Sequence, residues 1–162
     1  MKKFLLPIMN LVNVVLVSII FGLGGQTALN FIDTNNSKTA KGTWYQLVWT
    51  GYYADGGKTA GNVIGIIGFF LFVVAVAAIL VAFLPTKFRK WVSVGMGAAL
   101  IAAGVLFLIT PFHAGLSEAI ISNSKITSEL IGMAVLAFVA GAISLGMAAL
   151  EIVPMFLKKE AK

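Results

Sequence analysis

Apolar residues in this chain are gathered into four long runs separated by shorter polar stretches. The runs cover about residues 4–29, 61–84, 91–110 and 128–153. A helix needs about 20 mostly apolar residues to cross the hydrocarbon core of a membrane, and each run is at least that long. The pattern therefore predicts four transmembrane helices, with residues 30–60 and 111–127 as the longer connections outside the membrane.

The composition leads to the same class of protein. Of the 162 residues, 59% are hydrophobic and 11% are charged, and the mean hydropathy is +0.98. A soluble domain has about 25% charged residues, and a disordered chain needs low hydrophobicity with high charge, so both classes are excluded. We therefore expect an all-α integral membrane protein in which residues 1–162 form a single antiparallel four-helix bundle.

Basic residues are distributed unevenly between the two sides that four spans define. Eight lie at the chain ends or between spans two and three, and four lie in the two longer connections: Lys2, Lys3, Lys87, Arg89, Lys90, Lys158, Lys159 and Lys162 against Lys38, Lys41, Lys58 and Lys125. Cytoplasmic flanks carry the excess of Lys and Arg, so both termini are predicted to be cytoplasmic. The basic clusters then lie against anionic lipid headgroups. The net charge of +6 is explained in this way, and we expect no nucleic-acid partner.

The residues that the chain lacks exclude several kinds of chemistry. It has no cysteine and a single histidine, His113, so disulfides, thiolate metal sites and paired histidine ligands within one chain are ruled out. The sequence contains no nucleotide-binding, serine-hydrolase or zinc-protease motif. We therefore expect no cofactor and no enzymatic activity. We interpret the cysteine-free, lysine-flanked spans as the style of a bacterial plasma-membrane protein.

The first outer connection includes an aromatic segment, which carries Trp44, Tyr45, Trp49, Tyr52 and Tyr53. One interpretation is an interfacial helix or strand whose rings belong to the outer aromatic belt of a membrane protein. The other interpretation is an outer recognition surface, because exposed Trp and Tyr side chains are frequent hot spots of binding.

Three polar residues lie within the predicted spans. Asn10 and Asn13 are one helical turn apart in span one, and Glu151 lies near the end of span four. Ionisable groups inside a membrane are costly unless they are paired or hydrated. One hypothesis is therefore a site that handles protons or cations, formed by Glu151 with the two asparagines. The alternative is a carboxylate at headgroup level that pairs with a nearby cation. The candidate cations are Lys158, Lys159 and Arg89.

Small residues recur at four-residue spacing in spans three and four. Such stripes let membrane helices approach closely, so we predict that these two spans form the tightest pair. The residues expected at helix contacts are Gly95, Ala99, Ala103, Ala137, Gly141 and Gly146. Span two is different, because Phe69, Phe70 and Phe72 are expected to face lipid or a partner.

The layout of four spans, cytoplasmic termini and a larger first outer connection is similar to that of claudin-like tetraspan proteins. The cysteine pair and tryptophan pattern of the claudin outer loop are absent from this chain, so the resemblance implies a layout and no site residues. The function we expect is that of an assembly, scaffold or accessory subunit, working with a membrane-protein partner or a second copy of this chain. One alternative is a small oligomeric channel or a transporter coupled to protons or cations. Another is a surface recognition or immunity-type protein that uses residues 44–53.

Overall fold

The fold is that of a computed structural model, which describes residues 2–33, 38–49, 62–84, 87–113 and 125–160. Its elements in chain order are α1 (Lys2–Gly24), β1 (Thr27–Asp33), β2 (Lys38–Thr43), α2 (Trp44–Trp49), α3 (Val63–Ala82), α4 (Arg89–Ile109), β3 (Lys125–Ile126) and α5 (Ser128–Glu160). A single 3-10 turn, Thr110–His113, continues α4.

Four of the helices are long and apolar enough to cross a membrane. The spanning segments are Phe4–Gly24, Val63–Ala82, Arg89–His113 and Ser128–Phe156. They coincide with the four apolar runs of the sequence, so the prediction of a mostly helical chain with four candidate spans is confirmed. Their length and composition indicate an integral membrane protein.

Two span ends differ from the prediction. Helix α1 ends at Gly24, five residues early, because the next two amides turn back onto the carbonyls of Gly22 and Leu23 at 3.2 and 2.9 Å. Helix α5 runs past Pro154 and ends at Glu160. A proline within a helix removes one backbone hydrogen bond, but helices inside membranes tolerate this loss because neighbouring groups satisfy the freed carbonyl.

The spanning helices differ in how extensively they contact one another. The most extensive contact joins α4 to α5, followed by α3 to α4 and α1 to α5, and a smaller contact joins α1 to α3. The first contact is the pair that the small residues predict. The two helices run in opposite directions there, because Gly97 lies against Gly141, and Gly104, further along α4, lies against Ala134.

Apolar side chains from every spanning helix fill the space inside the bundle. The buried members include Val17, Ile20, Phe72, Ala75, Leu100, Ala103, Phe107, Leu130 and Ala137. Phe72 is one of them, with its ring centroid 5.8 Å from that of Phe107. The predicted outward face of span two is therefore wrong for Phe72, whereas Phe70 is exposed. The difference follows from the helical period, which turns residues two positions apart towards different sides.

A small antiparallel sheet lies at one end of the bundle, which we call the sheet end. Its strand order is β2-β1-β3, with Asn30 of β1 opposite Lys41 of β2 on one side and Lys125 of β3 on the other. The chain is mostly helical as predicted, and this small sheet adds to the four spanning helices. The signal for a spanning helix extends over about 20 residues, whereas these strands have seven, six and two residues and leave little trace in it.

Candidate functional site

The short helix α2 follows directly after the sheet and starts at a reciprocal cap. The amide of Gln46 donates to the hydroxyl of Thr43 at 3.2 Å, and the amide of Thr43 donates to the side-chain oxygen of Gln46 at 3.0 Å. This is a capping box, in which two otherwise unpaired amides at a helix start are satisfied by each other's side chains. The cap fixes where the helix begins.

Trp44, the first residue of α2, lies in the core of the bundle. Its side chain is 1% exposed. Its ring packs edge-on against Phe107 of α4, with 4.9 Å between centroids, and lies 6.4 Å from Phe69 of α3. The interpretation of Trp44 as part of an outer recognition surface is therefore wrong. The capped helix turns this ring into the bundle, where it closes the sheet end.

The other rings of the aromatic segment have different surroundings. Tyr45 is half-buried and its hydroxyl donates to the carbonyl of Phe21 on α1 at 2.8 Å. Burial raises the pKa of the Tyr45 phenol above its ordinary value of 10.0. Trp49 is 46% exposed and touches Phe69 edge-on, with 5.2 Å between centroids. Tyr52 and Tyr53 lie outside the described residues. Of the predicted surface, Trp49 is thus the ring that the structure leaves open.

Asn62, which the sequence analysis missed, joins three elements at the sheet end. Its side-chain oxygen accepts from the amide of Gly65 at 3.1 Å, which caps α3. Its side-chain nitrogen donates to the carbonyl of Thr110 at 2.7 Å, and its own amide donates to the carbonyl of Val48 at 3.3 Å. An asparagine directly before an apolar helical run is a recognised start signal, so the sequence did carry a sign of this role.

Thr127 ties the start of α5 to the first strand. Its amide donates to the carbonyl of Ala28 at 3.2 Å, and its hydroxyl donates to the carbonyl of Thr27 at 2.5 Å. The same hydroxyl accepts from the amide of Leu130 at 3.4 Å, which caps the helix. The two longer connections therefore meet at β1, which pairs with a strand from each of them.

The two asparagines of span one are buried. The side-chain nitrogen of Asn10 donates to the carbonyl of Ile79 on α3 at 2.9 Å. That of Asn13 donates to the hydroxyl of Ser144 on α5 at 3.0 Å, and this hydroxyl donates in turn to the carbonyl of Ala140 at 2.7 Å. The side chain of Asn10 therefore links α1 to α3, and that of Asn13 links α1 to α5.

Glu151 is placed apart from these bonds, in an ion pair with Arg89, the first residue of α4. The Arg89 Nε lies 2.7 Å from the Glu151 carboxylate, and a second guanidinium nitrogen contacts the same oxygen. Both side chains are partly exposed. This is one of the pairings that the headgroup-level hypothesis names. We call this end of the bundle, opposite the sheet, the ion-pair end.

The small residues at the α4–α5 crossing differ in part from those predicted. A Cβ on Gly97 would lie 2.7 Å from Leu145 and 3.0 Å from the carbonyl oxygen of Gly141. A Cβ on Gly95 would meet nothing within 4 Å, so this glycine is not a contact residue. A Cβ on Gly104, which the prediction left out, would lie 2.8 Å from Phe138. Gly97 and Gly104, seven residues apart, therefore lie on the face that α4 turns to α5, whereas Gly95 does not.

The remaining predicted packing residues lie at or near helix contacts. Ala103 and Ala137 are fully buried and Ala99 packs against the core. Gly146 faces Met9 of α1, with 3.5 Å between a Cβ and the methyl carbon. These positions fit the general role of small residues in membrane helices, which is to let neighbouring backbones come close.

The described residues hold no group of three or more His, Cys, Asp or Glu side chains that could bind a metal ion. Comparison with known proteins adds no relative: no protein-family model matches this chain, and no curated protein sequence matches it significantly.

Proposed function

We propose that this protein is a non-enzymatic subunit that supports the assembly of a larger membrane complex. It spans the plasma membrane of a bacterial cell as one antiparallel four-helix bundle, with both termini in the cytoplasm. The ion-pair end then faces the cytoplasm and the sheet end faces outward. The charge distribution supports this orientation, because Lys87, Arg89 and Lys90 lie together at the ion-pair end.

The observation that carries the proposal is how the sheet is seated on the bundle. Both longer connections supply strands to one sheet. Helix α2, which follows the sheet, is anchored in the bundle by the buried ring of Trp44. A surface held in one conformation loses little further freedom when a partner binds. A rigid surface of this kind outside the membrane suits a protein that binds a partner subunit there.

The filled core supports a role in which no ion or solute passes through the middle of a single bundle. Side chains from all four spans occupy the interior from Trp44 at the sheet end to Ile79 and Met96 nearer the ion-pair end. The faces turned away from the core are largely apolar, with exposed residues such as Val15, Phe70 and Val135. These faces fit lipid or the apolar flank of another membrane protein.

Native purification of the full chain tests the proposal. A tagged copy at its native level is extracted in mild detergent, and the mass and stoichiometry of the complex are measured. We expect a larger membrane protein in fixed ratio. A pure homo-oligomer that passes ions in liposomes would overturn the proposal in favour of a channel, and a lone monomer would overturn it as well.

Two tryptophan variants make this test specific to the outer surface. Trp49→Ala changes a half-exposed ring at the sheet end, and Trp91→Ala changes an exposed ring near the ion-pair end. Exposed tryptophans are the residues that most often dominate binding energy. We expect Trp49→Ala to lose the partner and Trp91→Ala to keep it. A partner retained equally by both variants would contradict the sheet end as the binding surface.

A further inference from the structure

Three buried polar atoms in the ion-pair half of the bundle have no hydrogen-bond partner among the residues that the structure describes. They are the side-chain oxygens of Asn10 and Asn13 and the hydroxyl of Ser93. All three residues are at most 1% exposed. Burying a polar group without a partner is unfavourable, and more so inside a membrane, where there is no bulk water to turn to.

The contacts of α3 place Ser93 at the level of Asn10. The carbonyl that binds Asn10 belongs to Ile79, which follows Ala78. A crevice between α3 and α4 is lined by Ala78 together with Val92, the residue before Ser93. The Ser93 hydroxyl on α4 is thus level with the part of α3 that binds Asn10.

The contacts of α5 place Asn13 within about one helical turn of this level. Asn13 bonds to Ser144, and the next residue of α5, Leu145, lies against Gly97 of α4. Gly97 is one helical turn from Ser93 on α4. The unpartnered polar atoms of α1 and α4 therefore lie within about one turn of each other along the bundle, in a layer of an otherwise apolar core.

We propose that this layer binds one water molecule, held by Asn10, Asn13 and Ser93. Water has two protons to donate and accepts others, and the layer offers two amide oxygens that accept and one hydroxyl that donates. Buried waters typically make about three hydrogen bonds to groups that are otherwise unpaired. The layer has no formal charge, so a cation bound there would lack a counter-charge in a low-dielectric interior.

A double-mutant cycle on the full-length protein tests whether a ligand bridges the layer. Ser93 and Asn13 lie on different helices and share no hydrogen bond with each other. Independent sites of this kind have additive effects on stability, whereas sites that share a partner do not. We expect the Tm shift of the Ser93→Ala, Asn13→Leu double variant to depart from the sum of the single shifts by roughly 2–4 °C. Additive shifts would overturn the proposal.

Ser18→Ala combined with Asn13→Leu is the matched control. The Ser18 hydroxyl is exposed and donates to the carbonyl of Val14 within its own helix, at 2.8 Å. We expect additive shifts for this pair. A departure as large as that of the Ser93 pair would show that Asn13→Leu disturbs the whole bundle, and would remove the cycle as support for a bridging ligand.

Two measurements on the unmutated protein identify the ligand even if a variant fails to fold. In lipid nanodiscs, magnetisation transfer from water to the side-chain amides of Asn10 and Asn13 is followed by NMR, and we expect transfer to both. Its absence would overturn the proposal. The Tm is also compared in NaCl, KCl and choline chloride, and we expect equal values. A stabilisation specific to one metal cation would overturn water in favour of that cation.

Discussion

The sheet end and the ion-pair end hold the same four helices together by different means. At the sheet end, main-chain groups bond across the chain, as when the amide of Thr127 donates to the carbonyl of Ala28, in addition to side-chain bonds such as that from Asn62 to Thr110. At the ion-pair end, side chains make the bonds between helices, as in Arg89 to Glu151 and Asn10 to α3. Main-chain bonds persist through most substitutions, whereas the bonds of the ion-pair end depend on particular residues.

The difference extends to how closely the helices meet. At the sheet end, Tyr45 and Trp44 fill the space between helix ends. In the ion-pair half, an open apolar groove of about 530 Å³ lies at the surface beside the α1–α5 contact, lined by Met9, Gly146 and Pro154 among others. Regions with fewer buried contacts open at lower free energy. We therefore expect the helix surfaces along this groove to open more readily than the filled core.

The largest effect is expected from removing the ring that closes the sheet end. Trp44→Ala should lower the free energy of unfolding by about 4 kcal/mol, because truncation of a fully buried aromatic leaves a cavity. Trp49→Ala, its control, should cost about 1 kcal/mol or less, since that ring is half-exposed. Unfolding in mixed micelles, followed by circular dichroism, measures both. Equal costs would show that the sheet end is not closed by Trp44.

The next effect concerns the crossing of α4 and α5 between the two ends. Gly97→Ala should cost about 2 kcal/mol, because its new methyl group would press on Leu145 and on the carbonyl of Gly141. Gly95→Ala, on the same helix, meets nothing and should be neutral or slightly stabilising, since alanine favours helix over glycine. The same unfolding assay compares them. A costly Gly95→Ala would contradict the register of this crossing.

A smaller effect is expected at the ion-pair end. Glu151→Gln should lower the free energy of unfolding by about 1 kcal/mol, because Arg89 keeps its charge without a partner, while both side chains are partly exposed and screened by solvent. Arg89→Gln should cost about as much, and adding salt should reduce both costs. The variants are also reconstituted into liposomes. An ion flux that Glu151→Gln abolishes would favour the transport hypothesis over a structural pair.

The smallest effect is a pH dependence at the sheet end. Burial raises the pKa of Tyr45 in the folded protein above the ordinary 10.0, so the unfolded chain loses this proton first as the pH rises. The contribution of the neutral Tyr45 phenol to the free energy of unfolding is therefore complete below about pH 10 and is lost as the pH rises further. Tyr45→Phe should cost about 1 kcal/mol near neutral pH, through the lost bond to Phe21, and should show a weaker decline above pH 10. Parallel declines would assign the pH dependence to other groups.

The parts of the fold that could be predicted depend on signals spread over many residues. Spans of about 20 residues are visible in hydropathy because every position contributes. Arg89 was among three candidate partners of Glu151. Choosing between them required the direction in which α4 and α5 cross, which no single segment of sequence contains.

The parts that could not be predicted depend on one residue or one angle. Trp44 and Trp49 look alike in sequence, and the face that α2 turns towards α3 and α4 decides which of them enters the bundle. Gly95 and Gly97 both belong to small-residue patterns, and a rotation of α4 by two residues decides which of them touches α5. Local propensity does not determine such orientations, because they are set when helices pack.

The pairing of β1 with β3 also imposes an order on how this protein is made. The hydroxyl of Thr127 reaches the carbonyl of Thr27, 100 residues earlier in the chain. While the chain is synthesised, β1 is completed long before its second partner exists, so one edge of β1 stays unpaired until residues 125–126 have been made. Closing so long a loop is slow compared with forming local contacts. Pairing of β3 is therefore the step that completes the sheet, and a chain truncated before β3 would carry an unprotected strand edge.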